Sequence, residues 1–192
     1  MAHQQQAQTF RRHVPLIPYR TRQPTPPQHG GQPIPFDYVD NRAGGLGMGV
    51  WMNDLRFKGP EQLDPIIRGG EYQLDSSIER IMLRIIWPGY ENEAEAGYIT
   101  LSKGDRRITL SELGTKIADR MCYFFQNMKS AYPTAPPSPT QFPIVPTGVL
   151  LEHLYLRQLV NTVGNVWQAD IALDIRKPGD VRFSRTLTVM IE

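Results

Sequence analysis

Residues 109–128 read TLSELGTKIADRMCYFFQNM, and the fold follows from how this stretch is capped and striped. Thr109 is followed three residues later by Glu112, the spacing of a capping box. The threonine hydroxyl accepts from the third helical amide while the glutamate reaches back to the amide of the cap. Leu110, Leu113, Ile117, Met121, Phe124, Phe125 and Met128 then fall on one stripe, with Glu112, Lys116, Asp119, Tyr123 and Asn127 on the other side. The pattern predicts an amphipathic helix over about 110–128, whose apolar stripe requires a second layer to cover it. Gly114 costs the helix about 1 kcal/mol relative to Ala, and its place on the stripe predicts a close approach to a sheet.

That sheet is legible on both sides of the helix. Ile81, Leu83, Ile85 and Trp87 alternate with Arg80, Met82, Arg84 and Ile86, the period of a strand with one buried face. Trp87-Pro88-Gly89-Tyr90 turns the chain, an acidic run follows, and Tyr98–Leu101 predicts a second short strand ending at Lys103-Gly104-Asp105. Beyond the helix, the prolines of 133–146 exclude helix and central strand and predict an extended connection over the surface. Leu150–Val163 is an irregular strand candidate, and Gly164-Asn165 suits a two-residue hairpin turn. Trp167, Ala169, Ile171, Leu173 and Ile175 alternate with Gln168, Asp170, Ala172 and Asp174, and after a turn at 177–180 a last strand runs through Val181, Phe183, Leu187, Val189 and Ile191. The expected fold is α+β: a small antiparallel sheet of about five strands, arranged as two strands, a helix and a three-stranded meander, with the helix packed on one face.

This domain is expected to occupy 78–192. Residues 1–35 are rich in Gln and Pro without periodicity, which predicts a disordered N-terminal arm. Residues 36–77 read as a Gly-rich join with short turns. Around Glu61–Leu63 one helical turn fits, but 50–59 do not read as an amphipathic helix.

The order of LDPII, an apolar strand entering WPGY, ITLSELGTKIA and VWQADIALDI, across about residues 61–176, resembles a set of fungal, mainly basidiomycete, domains of unknown function. Leu63, Pro65, Trp87, Pro88, Ile108, Thr109, Leu110 and Trp167 carry the likeness. It implies a fungal origin and a shared small fold, and it brings no catalytic residue with it.

Composition narrows the function classes. With 192 residues, 40% of them hydrophobic, the chain suits one domain with additions. Its 21 basic and 19 acidic residues give a formal charge of +2, too little for a field that drives non-specific nucleic-acid binding. Cys122 is the single cysteine, which excludes an internal disulfide and a Cys-based zinc site and favours a reducing compartment. No secretory leader and no apolar run of about 18 residues is present, so an intracellular location, cytoplasm or nucleus, without membrane insertion is expected.

The strongest linear signal is Pro15-x-x-Pro18-x-Arg20, the pattern of a preformed polyproline ligand whose arginine meets an acidic pocket on a protein partner. Tyr90 and Tyr98 beside Glu91, Glu93 and Glu95 suggest a rim able to hold a basic peptide, against the plainer reading of a strand end, a turn and a solvated acidic loop, which the Pro-Gly turn signal favours. The glycines of GGLGMG lack the strand before and the Lys-Ser/Thr after that a phosphate loop needs. Ser138-Pro139 reads as a proline-directed phosphorylation site. Three of the four histidines fall in the arm, which leaves no metal or cofactor set and only Cys122 with His153 as a conceivable hydrolase pair. The expected function is therefore a non-enzymatic protein-interaction domain. Its rival is a nucleic-acid binder using Arg106, Arg107, Arg176, Lys177, Arg182 and Arg185.

Overall fold

The computed structural model describes residues 11–17, 19, 31–40, 46–74 and 78–174. The strand expected over 181–191, together with Pro18, Arg20, Arg176, Lys177, Arg182 and Arg185, lies outside them. In chain order the elements are β1 (Arg11–His13), β2 (Ile34–Pro35), β3 (Val50–Trp51), α1 (Met52–Phe57), α2 (Pro60–Leu63), β4 (Arg80–Ile85), β5 (Glu95–Thr100), β6 (Ser102–Lys103), β7 (Arg106–Arg107), α3 (Leu110–Ala131), β8 (Leu154–Val163) and β9 (Val166–Asp174). No helix among the described residues is long and apolar enough to cross a membrane.

The capping box forms as its residues require: the Glu112 amide donates to Thr109 Oγ1 at 3.2 Å and the Thr109 amide to Glu112 Oε2 at 3.0 Å. All seven stripe residues of α3 are buried. Glu112 departs from its expected solvent side. It is buried under the β6–β7 hairpin, where Arg106 donates to both carboxylate oxygens at 2.7 Å. That bidentate fork holds the Glu112 carboxyl down at about 2, against the opposing effect of burial. A carboxyl depressed in the folded state stabilises the protein above its ordinary pKa and loses that contribution as pH falls toward the folded value. Glu112→Gln keeps an acceptor for the cap amide and removes the charge. The stability difference between parent and variant is expected to shrink between pH 4.5 and about 2, as read by urea unfolding at stepped pH. A difference independent of pH would refute the ion pair.

Gly114 meets α1 and Phe36 rather than the sheet. A Cβ there would lie 2.8 Å from Leu55 Cδ2 and 3.1 Å from Phe36 Cε1. The segment expected to be a join is core: Phe36, Tyr38, Val50, Met52, Leu55, Leu63 and Ile67 are all buried. α1 is the helix that 50–59 did not predict. It has six residues, too few for a 3.6-residue period to register. Tyr38 pins it, donating to Asp54 Oδ2 at 2.6 Å and accepting from the Trp51 amide at 3.1 Å. Burial and the bond to Asp54 push this phenol well above its usual range.

The sheet has seven strands rather than about five, and it is mixed rather than antiparallel. Its main path is β2-β8-β9-β4-β5, with β3 also on β8 and β1 also on β9. The extra strands contribute two or three residues each, below the length at which alternation is readable. β4 runs parallel to β9 through Met82↔Val166 and Leu83↔Trp167, while β1 takes the far end of the same edge from His13↔Ala172 to Arg11↔Asp174.

β1 also changes the reading of the arm. Gln168 and Asp170, the polar members of the alternation, are 3% and 4% exposed because residues 11–17 and Tyr19 lie across them. Val14 continues the ladder, its amide donating to the Ile171 carbonyl at 3.0 Å. The Gln168 amide side chain donates to the Ile17 carbonyl at 2.9 Å and accepts from the Tyr19 amide at 3.3 Å. His13 Nε2 meets Asp170 Oδ1 at 2.5 Å, and Arg84 sits 4.3 Å over the Tyr19 ring.

Candidate interaction groove

The acidic corner takes the plainer form, a strand end and a turn, in place of a rim. Trp87 is core, its indole donating to the Phe142 carbonyl at 2.8 Å. Gly89 turns with φ +87°, and a Cβ there would reach within 2.6 Å of Thr140. Tyr90 is fully buried; its hydroxyl accepts from the Ile144 amide at 2.9 Å. Glu91 accepts from the Gly89 amide at 2.9 Å, and Glu93 from the Tyr132 hydroxyl at 2.7 Å. Tyr90, Glu91 and Glu93 are thus spent on the turn and on docking the Pro-rich segment. That segment is no surface strap, since Phe142, Ile144, Val145 and Val149 are buried. Its prolines concealed the apolar spacing that signals this.

Glu91 stays exposed beside the turn it caps, and the one exposed aromatic of the set is Tyr98. It lies in β5, the end of the sheet, whose outer side no strand pairs among the described residues. Beside it, α3 carries a second stripe at helical spacing, Lys116, Asp119, Arg120 and Tyr123, and the two elements enclose an open groove of about 480 Å³. Tyr98 and Tyr123 are 47% and 55% exposed. Gly97 leaves room for the Arg120 guanidinium to lie on the strand: a Cβ there would sit 2.8 Å from it. Arg120 reaches the Tyr98 carbonyl at 3.4 Å and Glu95 at 3.7 Å, both at the long limit for such bonds. Burial raises the Glu95 carboxyl and Arg120 opposes it. Arg80 stacks 4.4 Å over the Tyr98 ring; Tyr98 stands opposite Met82 in the register, so both side chains lie on the face of the sheet away from α3, and it is the Tyr98 backbone that borders the groove.

The remaining candidates are structural where they are described. Pro15 is exposed but sits in the segment held on the sheet. Of the glycine run, Gly47 donates to Asp37 Oδ1 at 2.7 Å, while the Gly47 and Met48 carbonyls accept from Arg157 and Arg11. That arrangement presents acceptors, not an anion cradle. A cleft of about 200 Å³ opens there between Arg11, Arg12, His13 and Arg157. Arg106 is committed to Glu112, and Arg107 donates to the Ile78 carbonyl at 3.0 Å. Cys122 and His153 are both buried. His153 Nδ1 accepts from the Leu150 amide at 3.1 Å, and burial lowers its pKa. Among the described residues, no group of three or more His, Cys, Asp or Glu side chains is placed to hold a metal ion.

No protein-family model, no curated protein and no solved structure matches this chain.

Proposed function

We propose that this protein is a protein-binding domain with no reaction of its own, engaging a partner along the open edge of β5 and the overhanging stripe of α3. The observation that carries the reading is a strand edge unpaired among the described residues, flanked by exposed tyrosines on its two sides, Tyr123 in the groove under α3 and Tyr98 on the opposite face of the sheet. An open edge offers its backbone groups to an added strand, and tyrosine and arginine are the side chains that concentrate binding energy. The polyproline motif has weaker support, because Val14–Ile17 already lie on the sheet through backbone and Gln168 bonds. The single Cys122 supports a place inside the cell, and the likeness of residues 61–176 to fungal domains supports a fold shared with them.

A pull-down from lysate with the full chain as bait tests this. The Tyr98→Ser/Tyr123→Ser variant is expected to lose its captured partner by about tenfold or more with unfolding unchanged, while Pro15→Ala/Pro18→Ala/Arg20→Ala keeps it. The reverse pattern would return the role to the arm. One observation favours the nucleic-acid reading, the cleft between Arg11, Arg12 and Arg157. Affinity that falls steeply and log-linearly with salt would support it over docking on the edge.

A further inference from the structure

We propose that the partner of this edge is a second copy of the same chain, joined by a two-fold axis perpendicular to the sheet. The inference rests on the edge being an interaction surface and adds its occupant. Lys116, Asp119, Arg120 and Tyr123 follow one another along α3 in an order that is complementary to itself when reversed. Laid antiparallel against its copy about a centre between Asp119 and Arg120, the stripe sets Asp119 against the other Arg120 and Lys116 against the other Tyr123, each twice. The result is two ion pairs and two cation–π contacts, with no like charges opposed.

The same axis suits the strand. Arg120 lies over Gly97 and reaches the Tyr98 carbonyl, so the centre of the helical stripe is level with the middle of β5. A two-fold at that level pairs β5 antiparallel with its copy around Gly97–Tyr98 and continues the sheet. It also sets the two α3 helices side by side on one face, at the 8–10 Å or so at which helices pack. Arg120 is loosely held at 3.4 and 3.7 Å; turning to the other copy's Asp119, it frees the Tyr98 carbonyl for an amide of the added strand. An isologous contact closes after two copies, and it removes the exposed edge that would otherwise invite open-ended association.

Light scattering and sedimentation of the full chain over a concentration series test the assignment. The parent is expected at twice the chain mass. Asp119→Arg and Arg120→Asp, each of which opposes like charges across the axis, are expected to raise the dimer dissociation constant by at least about tenfold. The double swap Asp119→Arg/Arg120→Asp is expected to restore it to within a few-fold, which a purely structural role for Arg120 within one chain would not do. Lys116→Glu, away from β5, is expected to weaken the dimer without altering the unfolding transition and covers the case in which Arg120→Asp fails to fold. A dimer unmoved by the single reversals, or a double swap that stays monomeric, overturns the assignment. A monomeric parent whose Tyr98→Ser/Tyr123→Ser variant still loses a captured protein overturns the self-pairing and leaves the edge as a site for another protein. A monomeric parent with unchanged capture overturns both.

Discussion

Phe124→Ala is expected to lower the free energy of unfolding by about 3–5 kcal/mol. Phe124 has no exposed surface and packs edge-on against Phe125 with ring centroids 6.2 Å apart. It lies on the α3 stripe with Ile117, Met121 and Met128, facing the interior. The helix cannot move in to fill the space a phenyl leaves, because its N-terminal half is already in contact with Leu55 and Phe36 across Gly114 and its first turn is fixed by the capping box and Arg106. The cavity therefore persists and adds its cost to the lost transfer free energy. Phe124→Leu, which keeps most of the volume, is expected to cost under about 1.5 kcal/mol. Urea unfolding reads both through a shifted midpoint at constant slope. Equal and small losses for the two variants would show that this face of α3 is not packed against the core.

α3 and β4 were legible because each is long enough to repeat its period and each buries one face only. The apolar stripe of α3 and the alternation of Ile81, Leu83 and Ile85 are direct consequences of facing a single core. The elements that escaped reading are short or two-faced. β1, β2, β3 and α1 have between two and six residues, and their places are set by partners far along the chain, such as Leu156 for Val50 and Ala172 for His13. β9 was read with the correct alternation and the wrong surroundings. Gln168 and Asp170 are the polar side of the alternation, and their burial is tolerable because the arm bonds to Gln168 while His13, Gln158 and Arg157 share Asp170. The parallel register of β4 on β9 leaves no mark in either strand's composition.

The candidate groove was half legible for the same reason. Tyr98 was singled out as an exposed aromatic, and it is one. Tyr90 was placed beside it by proximity in sequence, whereas a turn at Gly89 sends it into the interior to meet the Ile144 amide. Tyr123, Lys116 and Asp119 were correctly assigned to the outer side of the helix, but nothing local says that this side overhangs a strand edge. One signal did exist. A glycine inside a strand, Gly97, marks the close approach of another group, and here that group is Arg120.

Trp87→Ala is expected to be as costly as Phe124→Ala, about 3–5 kcal/mol, and to do something the latter does not. Trp87 is 2% exposed and stacks edge-on against Phe125 at 5.1 Å, so truncation opens a cavity at the end of the α3 stripe. Its indole N–H is also a tie between the sheet and the Pro-rich segment, through the Phe142 carbonyl. That segment has no regular ladder of its own. It is held by this bond, by the Ile144 amide on Tyr90, by the Ser138 amide on the Gly89 carbonyl and by the burial of Phe142, Ile144 and Val149. Removing the indole takes away one tie and the apolar wall behind it, so local opening across 138–149 is expected to become easier than global unfolding. Hydrogen exchange distinguishes the two effects: in Trp87→Ala the Ile144 and Val149 amides are expected to exchange faster than those of α3, whereas in Phe124→Ala all of them accelerate together. Trp87→Phe fills most of the cavity but leaves the buried Phe142 carbonyl without its donor, a loss of about 1–3 kcal/mol, and is expected to loosen the segment while sparing the helix. If the segment's amides in Trp87→Phe exchange as slowly as in the parent, the indole bond does not hold the segment, and the corner's stability rests on Tyr90 and the Gly89 turn.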